Sequence, residues 1–236
     1  MKRASFVLSM VATAGAWATD TALLDSPAFR NGWWSLLFFL LPLGFLALGW
    51  TADRKGKLGA AAAIVFLLGV GGYVLYRTVL GRVSGSPAVE VGRKVPDFEL
   101  KDQDGKSVEL SDFTGKGRVV LVFFRGTGCP ICRGQLREIA GRIRDFETSR
   151  VQVVAVSRLT PEQARSMELP FPVLADPELE VTKKYGLLHE KGYLFRDTAR
   201  PATLLLDPDR ILRRIWMESE IRTRPPVTEI FEELRK

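Results

Sequence analysis

Histidine is almost missing from this chain of 236 residues, which holds only His189, and cysteine is nearly as scarce, with two. A structural zinc site takes four ligands, from two cysteine pairs or from a pair joined by histidines. One pair and one histidine cannot make that set, so no metal site is expected. Cys129 and Cys132 are separated by two residues, and a purely structural bridge across so short a ring would restrain little of the unfolded chain. No cysteine follows the apolar N-terminus, which excludes a thiol-linked lipid anchor there. Runs of one charge sign are lacking too. The net charge is +7, but basic and acidic residues interleave, as in Arg137-Glu138 and Arg144-Asp145. No basic stripe with interleaved aromatics occurs, so nucleic acid is not an expected partner. No internal repeat is visible.

What is present is a thiol pair in a telling place. Cys129-Pro130-Ile131-Cys132 lies between an apolar run, Val119 to Phe124, and a segment with Leu136, Ile139, Ala140, Ile143 and Phe146 at helical spacing. A strand feeding a helix whose first turn carries C-x-x-C holds two thiols for reversible disulfide chemistry. The free N–H groups and partial positive charge of the helix N-terminus favour a thiolate, which is the nucleophile. Pro130 suits the first helical turn. Arg125 and Arg133 flank the pair and are expected to stabilise its thiolate by ~0.3–1 kcal/mol each.

The first eighty residues read differently from the rest. Met1-Lys2-Arg3, the apolar stretch Ala4 to Ala18 and the pattern Ala16-Trp17-Ala18 have the form of a signal peptide over residues 1–18. Trp33 to Trp50 is free of charge, long enough to span a bilayer, and has tryptophans at both ends. A second span is expected over residues 60–76, where Gly69, Gly71 and Gly72 would permit close helix packing. The loop between them carries Arg54, Lys55 and Lys57 against Asp53, which places it in the cytoplasm and sends the following domain outward. The lipid bilayer is therefore an expected partner, with the soluble domain extracytoplasmic on the periplasmic side. That oxidising side suits a working thiol pair. A Gly/Ser/Pro-rich linker is expected over residues 81–94.

Beyond it, Asp97 to Leu100 and Ser107 to Leu110 flank the turn signal Asp104-Gly105. Val119 to Phe124 and Val151 to Val156 read as buried strands. Helices are expected from the C-x-x-C through Phe146, over Pro161 to Met167, from Asp176-Pro177 to Tyr185, and over Pro226 to Arg235. A short strand at Phe171 to Leu174 and a hairpin of Ala202–Leu206 with Ile211–Trp216 complete an α/β sandwich. His189, in a polar stretch, is read as a surface residue.

Val95-Pro96-Asp97-Phe98-Glu99-Leu100, Asp104-Gly105, Leu110-Ser111-Asp112 and Val120 to Phe124 leading to Cys129 resemble the AhpC/TSA family, the peroxiredoxin-like branch of the thioredoxin superfamily. Ala175-Asp176-Pro177 to Tyr185-Gly186 and Pro201-Ala202-Thr203 to Asp207 continue the resemblance, which covers residues 90–236. It implies a thioredoxin-like fold, a central mixed sheet flanked by helices, here preceded by the two-helix transmembrane region read from the apolar runs. It also implies thiol oxidoreductase activity. Peroxidatic members carry Pro-x-x-x-Thr-x-x-Cys and an arginine at the late strand; here Val122, Gly126 and Pro201 stand at those places. Thr127, Arg125 or Arg200 are the candidate replacements for activating a peroxide. Reductase members carry a cis-proline where Pro201 stands, which would turn the Arg200 backbone toward the sulfurs. They usually carry Trp where this chain has Gly128, and some place a buried acid where it has Phe123.

The expectation is a membrane-anchored thiol-disulfide oxidoreductase in which Cys129 attacks and Cys132 resolves. Pro201, Arg200, Thr127 and Pro130 would position the substrate. The redox-active disulfide serves in place of a cofactor. The partners are a thiol, disulfide or hydroperoxide substrate and an electron donor that the residues do not identify. The alternatives are a thiol peroxidase acting through Cys129 and a Sco-like copper-binding assembly factor. The latter uses Cys-x-x-x-Cys with a late histidine.

Overall fold

The computed structural model describes Gly71 and residues 86–193, 196–217 and 224–236. The chain divides into two units, Met1–Arg82 and Val83–Lys236. Apart from Gly71, the signal peptide expected over 1–18 and the spans over 33–50 and 60–76 lie outside the described residues. Among the described residues no helix is long and apolar enough to cross a membrane.

The second unit begins with β1 (Glu99–Lys101) and β2 (Ser107–Glu109), followed by a 3-10 turn over Leu110–Phe113 and β3 (Arg118–Phe123). Then come α1 (Pro130–Gly141), α2 (Ile143–Thr148), β4 (Val151–Ser157), α3 (Pro161–Arg165), β5 (Val173–Ala175) and α4 (Glu180–Lys184). The last elements are β6 (Leu188–Tyr193), β7 (Arg196–Ala199), β8 (Ala202–Leu206), β9 (Leu212–Trp216) and α5 (Val227–Leu234). Seven strands form one mixed sheet in the order β2-β1-β5-β4-β3-β8-β9, and β6 and β7 pair separately. Inside the sheet, β3 runs parallel to β4 and antiparallel to β8. Val119 through Phe123 are all buried, as a continuously apolar strand covered on both faces requires. Phe123 and Phe98 pack against the buried ring of Tyr185, whose hydroxyl donates to the Pro96 carbonyl at 2.6 Å.

Three elements differ from the sequence pattern. The helix expected to run through Phe146 breaks at Arg142 (φ −118°, ψ 19°), because that side chain pairs with Asp145 at 2.8 Å and stacks 4.5 Å over Phe231 of α5. Asp176 does not start α4. It stays buried ahead of the helix and accepts the Thr182 N–H and hydroxyl at 2.9 and 2.7 Å, while Leu179 takes the N-cap at φ 58°. The β6–β7 hairpin was not anticipated, since its polar sequence shows no alternation; long-range contacts hold it, with Arg158 donating to the Asp197 carbonyl and Thr198 to that of Arg125. Within the stretch expected as a linker over 81–94, the chain from Ala88 onward is docked on the domain. The Ala88 N–H donates to Tyr185, that of Gly92 donates to Leu212, and Val89 is buried. Gly186, at φ 68°, lets the backbones meet there, since a Cβ would collide with Ala88.

Candidate active site

After β3 the chain stays in register with β4 for one more bond, from the Phe124 N–H to the Val156 carbonyl at 3.0 Å. Gly126 then turns it at φ 139°, where a side chain would be strained. The turn delivers Cys129 to the N-cap of α1, with Pro130 in the first helical turn. The Cys129 Sγ accepts the Cys132 N–H at 3.4 Å, so the sulfur itself satisfies one of the helix's open donors. Both thiols are free. Cys129 keeps 5% of its surface exposed and Cys132 none, so a substrate meets Cys129 first.

The two sulfurs titrate as a unit. Hydrogen bonding to Cys132, then burial, pushes the Cys129 thiol up. Burial works against a charged Cys132, but the hydrogen bond from Cys129, the Arg224 guanidinium and a backbone hydrogen bond from Arg125 outweigh it. Together they bring Cys132 down to about 5. The physical picture is one thiolate and one thiol that share a proton and a single negative charge. The helix N-terminus acts on both sulfurs, while the guanidinium, with its Nη2 3.5 Å from the Cys132 Sγ, acts most on the buried one. Arg224 carries no signal in the sequence. It lies far along the chain, before two prolines, and only the packing of α5 brings it here.

The other expected residues are placed as follows. Arg125 is buried, and its Nη2 lies 3.0 Å from His189 Nδ1, so its side chain serves the imidazole and its backbone serves the thiols. Arg133 is exposed on α1 and lines a cleft of about 290 Å³ with Thr127, Leu136 and Met167. Thr127 is half-buried and also borders a second cleft of about 670 Å³, reaching Arg158, Thr160 and Asp197. His189 is not a surface residue. It is half-buried, and a guanidinium has only donors, so Nδ1 accepts and the proton sits on Nε2. Burial, then Arg125 and Arg200, hold His189 below its ordinary value. Gly192 leaves room for the ring, since a Cβ there would strike it.

The expected cis bond before Pro201 is absent, as no described peptide bond is cis. The Arg200 N–H donates inward to Leu187 at 2.6 Å, so it does not face the sulfurs. The hairpin ahead of β8 delivers the chain straight into the central ladder. Pro201, which has no N–H to donate, fits just outside the first bonded pair, Phe123 with Ala202. Among the described residues no group of three or more histidine, cysteine or acidic side chains is placed to hold a metal ion.

A sheet with a central parallel pair, an antiparallel flank and a dithiol on the helix that follows β3 defines a thioredoxin-like α/β protein. Solved structures agree. Peroxidoxin BcpB from Mycobacterium tuberculosis superposes with TM-score 0.54 at 23% identity, over 62% of this chain and 97% of its own. A cysteine-to-serine mutant of peroxiredoxin 6 from Arenicola marina gives TM-score 0.57 at 19% identity, over 63% of this chain and 73% of its own. The AhpC/TSA family model matches residues 91–215, and the chain belongs to that family. The relatives it matches are named for peroxide reduction or for thiol-disulfide exchange. A Mycobacterium tuberculosis protein provisionally named a peroxiredoxin is 36% identical over 104 residues, 42% of this chain and 66% of its own length. The chain thus spans just under two thirds of that relative. Thiol-disulfide oxidoreductase ResA of Bacillus subtilis is 30% identical over 143 residues, 58% of this chain and 72% of ResA. Alkyl hydroperoxide reductase E of M. tuberculosis is 30% identical over 131 residues, 53% of this chain and 83% of its own length.

Proposed function

We propose that this protein is a membrane-anchored thiol-disulfide oxidoreductase whose outward-facing domain cycles Cys129 and Cys132 between dithiol and disulfide, with no further cofactor. The observation that carries it is the geometry of the thiol pair: Cys129 at the N-cap of α1 with its Sγ accepting the Cys132 N–H at 3.4 Å, and the Arg224 Nη2 3.5 Å from the Cys132 Sγ. As the Cys129 sulfur attacks a substrate disulfide, its proton passes to Cys132 and one substrate sulfur leaves as thiolate. Cys132 then gives up that proton to the departing group and attacks the Cys129 sulfur, and the second substrate thiolate leaves. Two electrons have moved from the pair to the substrate, and an external dithiol donor restores it.

The apolar, charge-free runs over 33–50 and 60–76 support the anchor, and the cationic loop between them supports the orientation. Cys129→Ser is expected to abolish turnover, and Cys132→Ser to accumulate a mixed disulfide on Cys129. Full activity of Cys129→Ser refutes the roles. A second reading is favoured by the relatives named for peroxide chemistry. Cys129 attacks a hydroperoxide oxygen, releasing alcohol or water, and Cys132 condenses with the resulting sulfenic acid to release water and close the same disulfide. Stopped-flow mixing with hydroperoxide separates the two: fast saturating oxidation of Cys129 supports the peroxidase, slow thiol-like oxidation the exchange enzyme.

A further inference from the structure

Arg224 reaches the buried sulfur from a segment that is firmly held. Pro225 restricts Arg224 to extended backbone and is itself buried. Pro226 caps α5 (φ −63°, ψ 146°), and the Val227 N–H beside it donates to Glu138 Oε1 of α1 at 3.2 Å. Phe231 stacks on Phe146 of α2 at 4.5 Å, and the indole of Trp216 donates to Glu229 at 2.8 Å. The base of the guanidinium is thus tied to the same helix that carries both thiols, and its reach to Cys132 is built into the fold.

We propose that Arg224 is a positioning residue, acting through Cys132, that sets the redox poise of the pair by favouring the dithiol over the disulfide. The argument rests on the redox reading above. In the reduced state the guanidinium, 3.5 Å from the Cys132 Sγ, faces the negative charge that the two sulfurs share; on oxidation that charge is gone and the contact loses its electrostatic part. A counter-ion available to only one redox state stabilises that state, so the disulfide becomes the stronger oxidant. Among the described residues, the groups that act on the Cys132 sulfur include Cys129 from its own turn, the backbone of Arg125 from the loop after β3, and Arg224 from the segment before α5.

The experiment equilibrates the full-length protein in detergent with mixtures of reduced and oxidised glutathione. One oxidised glutathione converts the dithiol to the Cys129–Cys132 disulfide and yields two reduced glutathiones, so atoms and electrons balance. Arg224→Gln is expected to shift the equilibrium tenfold or more toward the protein disulfide, about 30 mV for this two-electron couple. Arg224→Lys, which keeps the charge, is expected to lie on the wild-type side of the midpoint between the two. In a Cys129→Ser background, Arg224→Gln is expected to raise the pH at which ultraviolet thiolate absorbance appears. Equilibrium constants within twofold for wild type and Gln, or a Lys variant indistinguishable from Gln, overturn the role of Arg224 alone. A wild-type pair that never closes under oxidised glutathione overturns the redox reading itself, and this inference with it.

Discussion

Beneath the thiols, one buried polar contact seats α1 on the sheet, and its removal is measurable. Gln135 lies one turn beyond Cys132, and its Nε2 donates to Thr203 Oγ1 at 3.0 Å, with both residues buried. Thr203 sits in β8 opposite Val122 of β3. Thr203→Val keeps the shape and removes the acceptor. The Gln135 amide is then left buried without its partner, at a cost of about 1–3 kcal/mol. Gln135→Leu costs less, toward ~1 kcal/mol, because it leaves only a hydroxyl lone pair without a donor, whereas the other change strands an amide N–H. The double variant puts apolar groups on both sides and is expected within ~1 kcal/mol of wild type. The coupling between the sites should therefore be about 1–3 kcal/mol in favour of the pair. For a domain of this size each kcal/mol corresponds to roughly 2–4 °C in Tm. Urea and thermal denaturation of the reduced protein in all four forms supply the cycle. A double variant that loses the plain sum of the two single losses refutes the claim that this bond holds the helix.

Other outcomes follow from the titrating groups and from the close backbone approach. Cys132 is depressed from 9.0 to about 5, so its stabilisation of the reduced fold is full above pH 9.0 and is lost as pH falls through about 5. Cys129 is raised, so above pH 9.0 the unfolded thiol ionises while the folded one does not, and stability declines again. Reduced minus oxidised stability should therefore peak near pH 9; a flat difference refutes the shared-proton pair. His189 is lowered from 6.5, so the unfolded chain binds its proton more readily and stability falls as pH drops below 6.5. Nitrogen-15 NMR should find neutral imidazole with the proton on Nε2, and an Nδ1-protonated ring refutes the Arg125 contact. Gly186→Ala is expected to cost more than ~1 kcal/mol through its left-handed backbone alone. Its collision with Ala88 should also expose residues 86–95 to proteolysis, and an unchanged cleavage pattern refutes that docking.

Much of this protein is written in local pattern. The β3 run, the helical spacing after Cys132, the Asp104-Gly105 turn and Thr160-Pro161 opening α3 each depend on neighbours a few residues away, and each is legible without coordinates. So is the dithiol, since residues at an N-cap and three positions later share one turn in any strand-to-helix junction. What local pattern does not carry is which distant groups converge on that turn. The break at Arg142 needs Phe231, and the β6–β7 hairpin needs Arg125 and Arg158. His189 looks like a surface residue until Arg125 is placed beside it, and Arg224 carries no signal until α5 docks on α1. Burial and electrostatics depend on distances in space, so tertiary packing alone decided which groups surround the two sulfurs.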